Sequence, residues 1–240
     1  CNTKDGSNTK DGSNTKDGSN TKEQVNMKET VKIEKTAMSL FSGMGGDSLG
    51  IINAGYKLLA YSEFIDDFRK SHDLNFKDCK LLGQDCKSDV SKITDEEFLE
   101  YNNKIDLIFA GFPCQGFSQA GKKLPADPRN TLFREFLRAT RLINPRYIIG
   151  ENVKGLLSRK THDDKMYIDI IVNEFEQLGY NVEYKVLKSN LHGIPQNRHR
   201  LIIVGVRKDI NKKYEFPKEI ISDDLNLKDI VKFSMTGSLK

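Results

Sequence analysis

The chain has 240 residues, enough for one sizeable domain with a small second lobe, and its 37% hydrophobic and 30% charged residues contain no run approaching the ~20 apolar residues of a membrane helix. Its net charge of +4 is a mild basic excess, shared by nucleic-acid binders and many metabolic enzymes. Four cysteines, Cys1, Cys79, Cys86 and Cys114, lack both the CxxC spacing of a redox or zinc motif and the density of a secreted disulfide scaffold. With no signal-peptide pattern in the opening residues, the expected setting is reducing and cytoplasmic.

The first segment repeats "NTKDGS" three times from Asn2 to Ser19. Stacked repeats must bury an aliphatic position in each unit, and this unit has none, so residues 1–30 read as a disordered tail. Lys4, Lys10, Lys16 and Lys22 cancel Asp5, Asp11, Asp17 and Glu23, which leaves the whole basic surplus to residues 27–240. Met27 and Met38 both stand as candidate start positions for the folded part.

From Thr36 onward short apolar runs alternate with amphipathic stretches, the pattern of a parallel sheet covered by helices. Strands are expected near 36–41, 57–62, 80–83, 105–110 and 146–150, with two more in "NVEYKVLKS" and "RLIIVGVRK". Thr94 and Glu97 predict a capping box ahead of "TDEEFLEYNN". In "NTLFREFLRATRLINP", Leu132, Phe133, Phe136, Leu137 and Ile143 form one apolar stripe, which Pro145 ends. A further helix over about 163–178 stops at Gly179, a residue suited to a left-handed cap. The expected fold is α/β: a doubly wound, Rossmann-like sheet flanked by helices, with a folded domain over 31–215 and a C-terminal segment over 216–240.

The first strand-to-helix turn, "LFSGMGGDSLG", carries Gly43, Gly45, Gly46 and Gly50. Glycines there let the backbone approach a ligand while the next helix offers free amides. It departs from a strict GxGxxG, because Ser48 occupies the third glycine's place. Glu63 follows Gly43 by 20 residues at the end of the second strand, where an acid can hold the hydroxyls of a ribose, and Phe64 beside it offers a flat face to a purine. A nicotinamide dinucleotide and S-adenosylmethionine both fit this pattern. Cys114, in "GFPCQ", lies just beyond the fourth strand at the edge where open α/β sheets bind ligands. Pro113 forces a turn there, and Gly111 and Gly116 clear space around the sulfur.

"FSGMGG", "GFPCQGFS", "ENVKGLL" and "GIPQNRHRLIIVG", in this order and at these spacings, resemble the DNA cytosine-5 methyltransferases over nearly all of residues 36–210. The resemblance implies S-adenosylmethionine as cofactor and double-stranded DNA with a flipped cytosine as substrate, in a bacterial restriction-modification setting with nucleoid association on DNA. It makes Cys114 the nucleophile at carbon 6 of cytosine, Glu151 the acid at ring nitrogen 3 and Arg200 the contact to the 2-carbonyl, with Arg198 supporting the site and nearby phosphates. It assigns Phe41, Ser42, Gly43, Met44 and Gly46 to the cofactor loop and Glu63 and Phe64 to ribose and adenine. Asp85 with Cys86 falls to the adenine edge and Leu132 to the methionine end, with Gly111 and Pro113 also on the cofactor side. Residues 118–130 match the family's mobile loop, where Lys122, Lys123 and Arg129 would meet phosphate; Asn130 stands where relatives commonly have glycine. His192 and His199 receive no role, and no zinc pattern is present.

Full-length relatives continue past "RLIIVGVRK" with a target-recognition region and two further motifs that have no counterpart after residue 210. A second polypeptide carrying them, or a truncation, is the expectation, and the isolated chain is expected to bind cofactor weakly and to methylate no specific site. The other readings are a transfer-RNA cytosine-5 methyltransferase, a catalytically idle DNA-binding fragment and an NAD-dependent oxidoreductase.

Overall fold

The computed structural model describes residues 34–113, 132–161 and 163–220. The "NTKDGS" tail, Cys114, the 118–130 loop and the segment after residue 220 lie outside the described residues.

Seven strands form one sheet in the order β3-β2-β1-β4-β5-β7-β6. In chain order they are β1 (Thr36–Leu40), β2 (Lys57–Ser62), β3 (Lys80–Leu81), β4 (Leu107–Ala110), β5 (Tyr147–Val153), β6 (Tyr180–Lys188) and β7 (His199–Arg207). The helices are α1 (Gly46–Asn53), α2 (Asp66–Asn75), α3 (Asp95–Leu99), α4 (Phe133–Ile143) and α5 (Tyr167–Gln177). Strands β1 to β5 pair in parallel, as the alternating pattern predicts. β7 inserts antiparallel between β5 and β6, so the sheet is mixed. The strand order reverses between β1 and β4, and open α/β sheets bind ligands beyond the carboxyl ends of strands at such a switch point.

Alternation along each strand feeds two cores. Met38, Leu40, Ile108, Ala110 and Ile148 pack in one layer with Phe133, Phe136 and Ile143 of α4 and Ile168, Ile171 and Phe175 of α5. On the other side Ala37, Leu58 and Leu107 meet Ile51 of α1. The apolar stripe of α4 is seated as expected, with the Phe136 ring edge-on to Phe175 at 4.9 Å, and burial of each such ring contributes roughly 1.5–3 kcal/mol. Asn144, in a left-handed conformation, caps α4 one residue before Pro145, and Gly179 ends α5 at a φ of 93°. Met38 is fully buried mid-strand, so a chain starting there would lack the Thr36 and Ala37 pairings of β1 to β2.

Two local expectations change. The Thr94 hydroxyl accepts from the Glu97 amide as an N-cap should, but the Glu97 carboxylate accepts instead from Gly83 N–H at 3.0 Å, so only half of the capping box forms. β5 runs to Val153, three residues past the expected end, because β7 continues to pair with it through Val153↔Arg200. Glu151 therefore sits within a strand whose register fixes its direction.

Candidate active site

The carboxyl ends of β1, β2 and β4 open into a cleft of about 610 Å³ lined by Phe41, Gly43, Glu63, Phe64, Gly111, Pro113 and Leu132, among others. Its size and largely apolar wall with few polar groups suit a small ligand. Glu63 is only 8% exposed. Its Oε2 accepts from Gly43 N–H at 2.8 Å and its Oε1 from Ile65 N–H at 2.8 Å, which leaves a second lone pair on each oxygen for a ligand's hydroxyls. Ser88, buried under the same turn, accepts from the Glu63 amide at 3.0 Å. Gly43 adopts a left-handed φ of 59° with open space where a side chain would stand, a backbone shape that lets a ligand approach closely. Phe64 is 62% exposed at the rim.

The loop assignments divide. Phe41, Gly43, Glu63, Phe64, Gly111, Pro113 and Leu132 line the cleft. Ser42 is buried beneath the loop, Met44 projects outward at 61% exposure, and Gly46 begins α1; none of the three lines it. Asp85 and Cys86 do not line it either. The Cys86 thiol donates within its own turn to the Gly83 carbonyl at 3.3 Å, and Lys87 and Ser88, both at positive φ, turn the chain so that Ser88, Asp89 and Val90 reach the wall. The aspartate beside the ligand space is thus Asp89, four positions later.

Glu151 stands at the neighbouring strand end. The antiparallel register sets Val153 opposite Arg200, which makes Arg200 the diagonal neighbour of Glu151 on the same face. Arg200 Nε lies 2.8 Å from Glu151 Oε1 and Arg198 Nη2 3.5 Å from the same oxygen. All three side chains are partly exposed, at 26% for Glu151, 27% for Arg200 and 47% for Arg198, so the cluster remains open to an incoming polar ring. Arg200 also donates to the His199 carbonyl at 2.9 Å, which holds its guanidinium in place.

A residue that the sequence reading passed over joins the two parts. Asn152 is 2% exposed, donates from Nδ2 to the Phe112 carbonyl at 3.2 Å and accepts at Oδ1 from Val153 N–H. It pins the strand exit "GFP" against β5 two residues before Cys114, while Gly111 N–H donates to the Leu40 carbonyl of β1. Segment 111–113 therefore has Gly111 and Pro113 on the cleft and Phe112 tied to the neighbour of Glu151. A larger hollow of about 940 Å³ lies along α4 and α5, lined by Arg134, Arg141 and Glu174 among others, but no strand end reaches it. Among the described residues no cluster suits a metal ion, and no helix is long and apolar enough to cross a membrane.

The chain is similar to a set of bacterial enzymes. It is 40% identical over 201 residues to the type II methyltransferase M.Eco47II of Escherichia coli, covering 82% of this chain and 46% of that protein. It is 38% identical over 185 residues to M.FnuDI of Fusobacterium nucleatum, covering 76% and 50%. The chain thus spans about half the length of these relatives. Among solved structures, a DNA modification methyltransferase encoded within an E. coli prophage superposes with a TM-score of 0.62 at 27% identity, over 76% of this chain and 49% of that one. Spodoptera frugiperda DNMT2, at 21% identity and a TM-score of 0.61, shares the fold. The family model described as C-5 cytosine-specific DNA methylase matches residues 35–237, and the chain belongs to that family.

Proposed function

We propose that this chain is the catalytic part of a DNA cytosine-5 methyltransferase that works through a transient covalent bond between Cys114 and the base. The observation that carries the reading is the Glu151, Arg200 and Arg198 cluster at the carboxyl end of β5, joined through Asn152 to the segment that leads into Cys114.

Carbon 5 of cytosine is a poor nucleophile. Addition of the Cys114 thiolate to carbon 6 pushes the ring's π electrons toward carbon 5 and makes it one. Glu151 would hold the proton at ring nitrogen 3, and Arg200 would donate to the 2-carbonyl, so the charge that arrives with sulfur is spread over the ring. When bound, S-adenosylmethionine supplies the electrophilic methyl group and leaves as S-adenosylhomocysteine. Loss of the proton from carbon 5 to a base then re-forms the ring double bond and expels the thiolate. Glu63 fits the cofactor's ribose hydroxyls, Phe64 its purine face, and Asp89 with Val90 the adenine edge in place of Asp85 and Cys86. Because carbon 6 is hidden in a duplex, the base must be swung out at a cost of a few kcal/mol. Lys122, Lys123 and Arg129 would meet phosphate as it does so.

The chain spans about half the length of these relatives, which leaves room for a further segment that supplies target recognition. Large apolar residues stand exposed along the cleft, Phe64, Ile65 and Phe68 among them, a surface that such a segment would cover. The chain would act in the bacterial cytoplasm as part of a modification enzyme that associates with the nucleoid. The test is transfer of labelled methyl to cytosine in duplex DNA by the chain combined with a polypeptide that carries the remaining half of such a relative. Label at carbon 5 of cytosine is expected from the combination and not from the chain alone. Robust site-specific methylation by the 240-residue chain alone would overturn the need for a partner, and no methylation by the combination would overturn the activity.

A further inference from the structure

Beneath the cofactor loop lies a buried polar chain. Asp47 accepts from the Ser39 hydroxyl and, at 3.0 Å, from the Ser42 hydroxyl. Ser42 Oγ is 2.9 Å from Ser48 Oγ, which is 3.0 Å from His72 Nε2. Ser39, Ser42, Ser48 and His72 are all buried, and His72 is the only buried residue of α2. Its ring stacks on Tyr61 with centroids 3.6 Å apart and tilts against Phe76 at 4.6 Å. A methyl group added at Gly45 would meet Phe76 Cε2 at 2.2 Å and His72 Cδ2 at 3.0 Å, so this pair of rings supports the loop from below.

The donors can be assigned by counting protons. Ser42 has one hydroxyl proton; if it goes to the Asp47 carboxylate, Ser48 must donate to Ser42 and His72 must donate from Nε2 to Ser48. The reverse direction would put the imidazole proton on Nδ1, which is buried with no partner, and an orphaned buried donor is rarer and costlier than an orphaned acceptor. Burial raises the Asp47 pKa, and the Ser39 and Ser42 hydroxyls with the Ser48 and Asp47 amides oppose that rise by bonding to its carboxylate. Burial pushes the His72 pKa down to about 4, so the ring is neutral near pH 7, as this wiring requires.

We propose that His72 is a positioning residue for the cofactor: it donates from Nε2 into a one-way relay through Ser48 and Ser42 to Asp47 that holds the loop so that Gly43 N–H stays on Glu63. The inference rests on the reading of the Glu63 cleft as a nucleoside-cofactor site. The Ser42 hydroxyl is the last link before Gly43, and the Ser42 amide donates to the Ser62 carbonyl at the end of β2, next to Glu63. Loss of the relay would loosen the backbone that the cofactor contacts while leaving Glu63 itself intact.

Two measurements test it. Nitrogen chemical shifts of the histidine rings in the full chain should give the Nε2–H tautomer for His72; the Nδ1–H tautomer would overturn the relay without any variant. Calorimetric titration with S-adenosylhomocysteine should then show His72→Phe, which keeps an aromatic ring, weakened about tenfold, because Ser48 loses a buried donor. Ser48→Ala should be weakened similarly, and the double variant no more than either single one, since removing both partners leaves no orphan. A ring that merely fills space would instead give additive losses, or a lower melting temperature at unchanged affinity, and either result overturns the proposal. Absence of S-adenosylhomocysteine binding by the unaltered chain would bring down the cleft reading itself, and the inference with it.

Discussion

Replacing Glu63 by glutamine tests the cofactor cleft with a change of one atom. The carboxylate accepts two backbone amides, Gly43 N–H and Ile65 N–H, each at 2.8 Å. Glutamine offers one carbonyl oxygen and an NH₂ group, so one of the two amides would face a donor. Leaving a buried amide unpaired costs about 1–3 kcal/mol. At about 2–4 °C per kcal/mol for a domain of this size, a 2 kcal/mol loss lowers the melting temperature by about 4–8 °C. Affinity falls further, because the oxygens that would accept the ribose hydroxyls lose their charge as well. An added loss of about 2–3 kcal/mol corresponds to binding weakened ~30- to 150-fold. Glu63→Asp keeps the charge but is one methylene too short to reach both amides, and it should recover only part of the affinity. Calorimetric titration with S-adenosylhomocysteine alongside thermal melting reads both effects. A Glu63→Gln protein that melts lower yet binds as tightly as the parent would refute the assignment of Glu63 to the ligand.

Other expectations concern the frame and its response to pH. Arg138 bonds Asp95 and Glu135, donates to the Val90 and Ile93 carbonyls at 3.0 and 2.9 Å, and lies over the Phe98 ring. Arg138→Met should cost about 2–3 kcal/mol in urea unfolding, and Arg138→Lys should not restore it, because one ammonium cannot replace the planar fork. A methyl group at Gly205 in β7 would meet Ile148 Cγ1 at 2.5 Å, so Gly205→Ala should destabilise by about 1–3 kcal/mol in the same assay. His72 has its pKa lowered from 6.5 to about 4, so between those values the unfolded chain binds a proton that the folded one refuses. Its contribution is full above pH 6.5 and is lost as pH falls toward 4, by about 3 kcal/mol at most. Burial raises the Asp47 pKa, which acts in the opposite sense and reduces the net loss. His72→Phe should flatten the acid-side slope of stability by about one proton, and an unchanged slope would show that His72 does not titrate on unfolding.

Much of the sheet was readable because each parallel strand is an apolar run bounded by breakers. β2 begins and ends where "KLLAYS" does. The orientation of β7 was not readable, since "RLIIVGVRK" carries no sign of which strands it will lie between, yet that antiparallel pairing brings Arg200 beside Glu151. The motifs named both residues; their meeting depends on a register between chain positions about fifty apart. Which of Asp85 and Asp89 borders the cleft was not readable, because the two look alike in sequence and the positive φ values of Lys87 and Ser88 bring the chain to the wall at Ser88–Val90. Asn152 left a faint sign, as the polar middle of "ENV" in a strand that alternates in burial. His72 left none, because its partner Ser48 lies 24 positions away on another helix.

The proposed chemistry turns on sulfur bonding to a pyrimidine. The most direct measurement is mass spectrometry of the reconstituted enzyme after incubation with S-adenosylmethionine and duplex DNA that carries 5-fluorocytosine at the target, where fluorine replaces the proton that must leave. A stable protein–DNA adduct mapping to the peptide that contains Cys114, and lost in Cys114→Ala, is the predicted result. Methyl transfer that persists in Cys114→Ala, or an adduct at another residue, would contradict it.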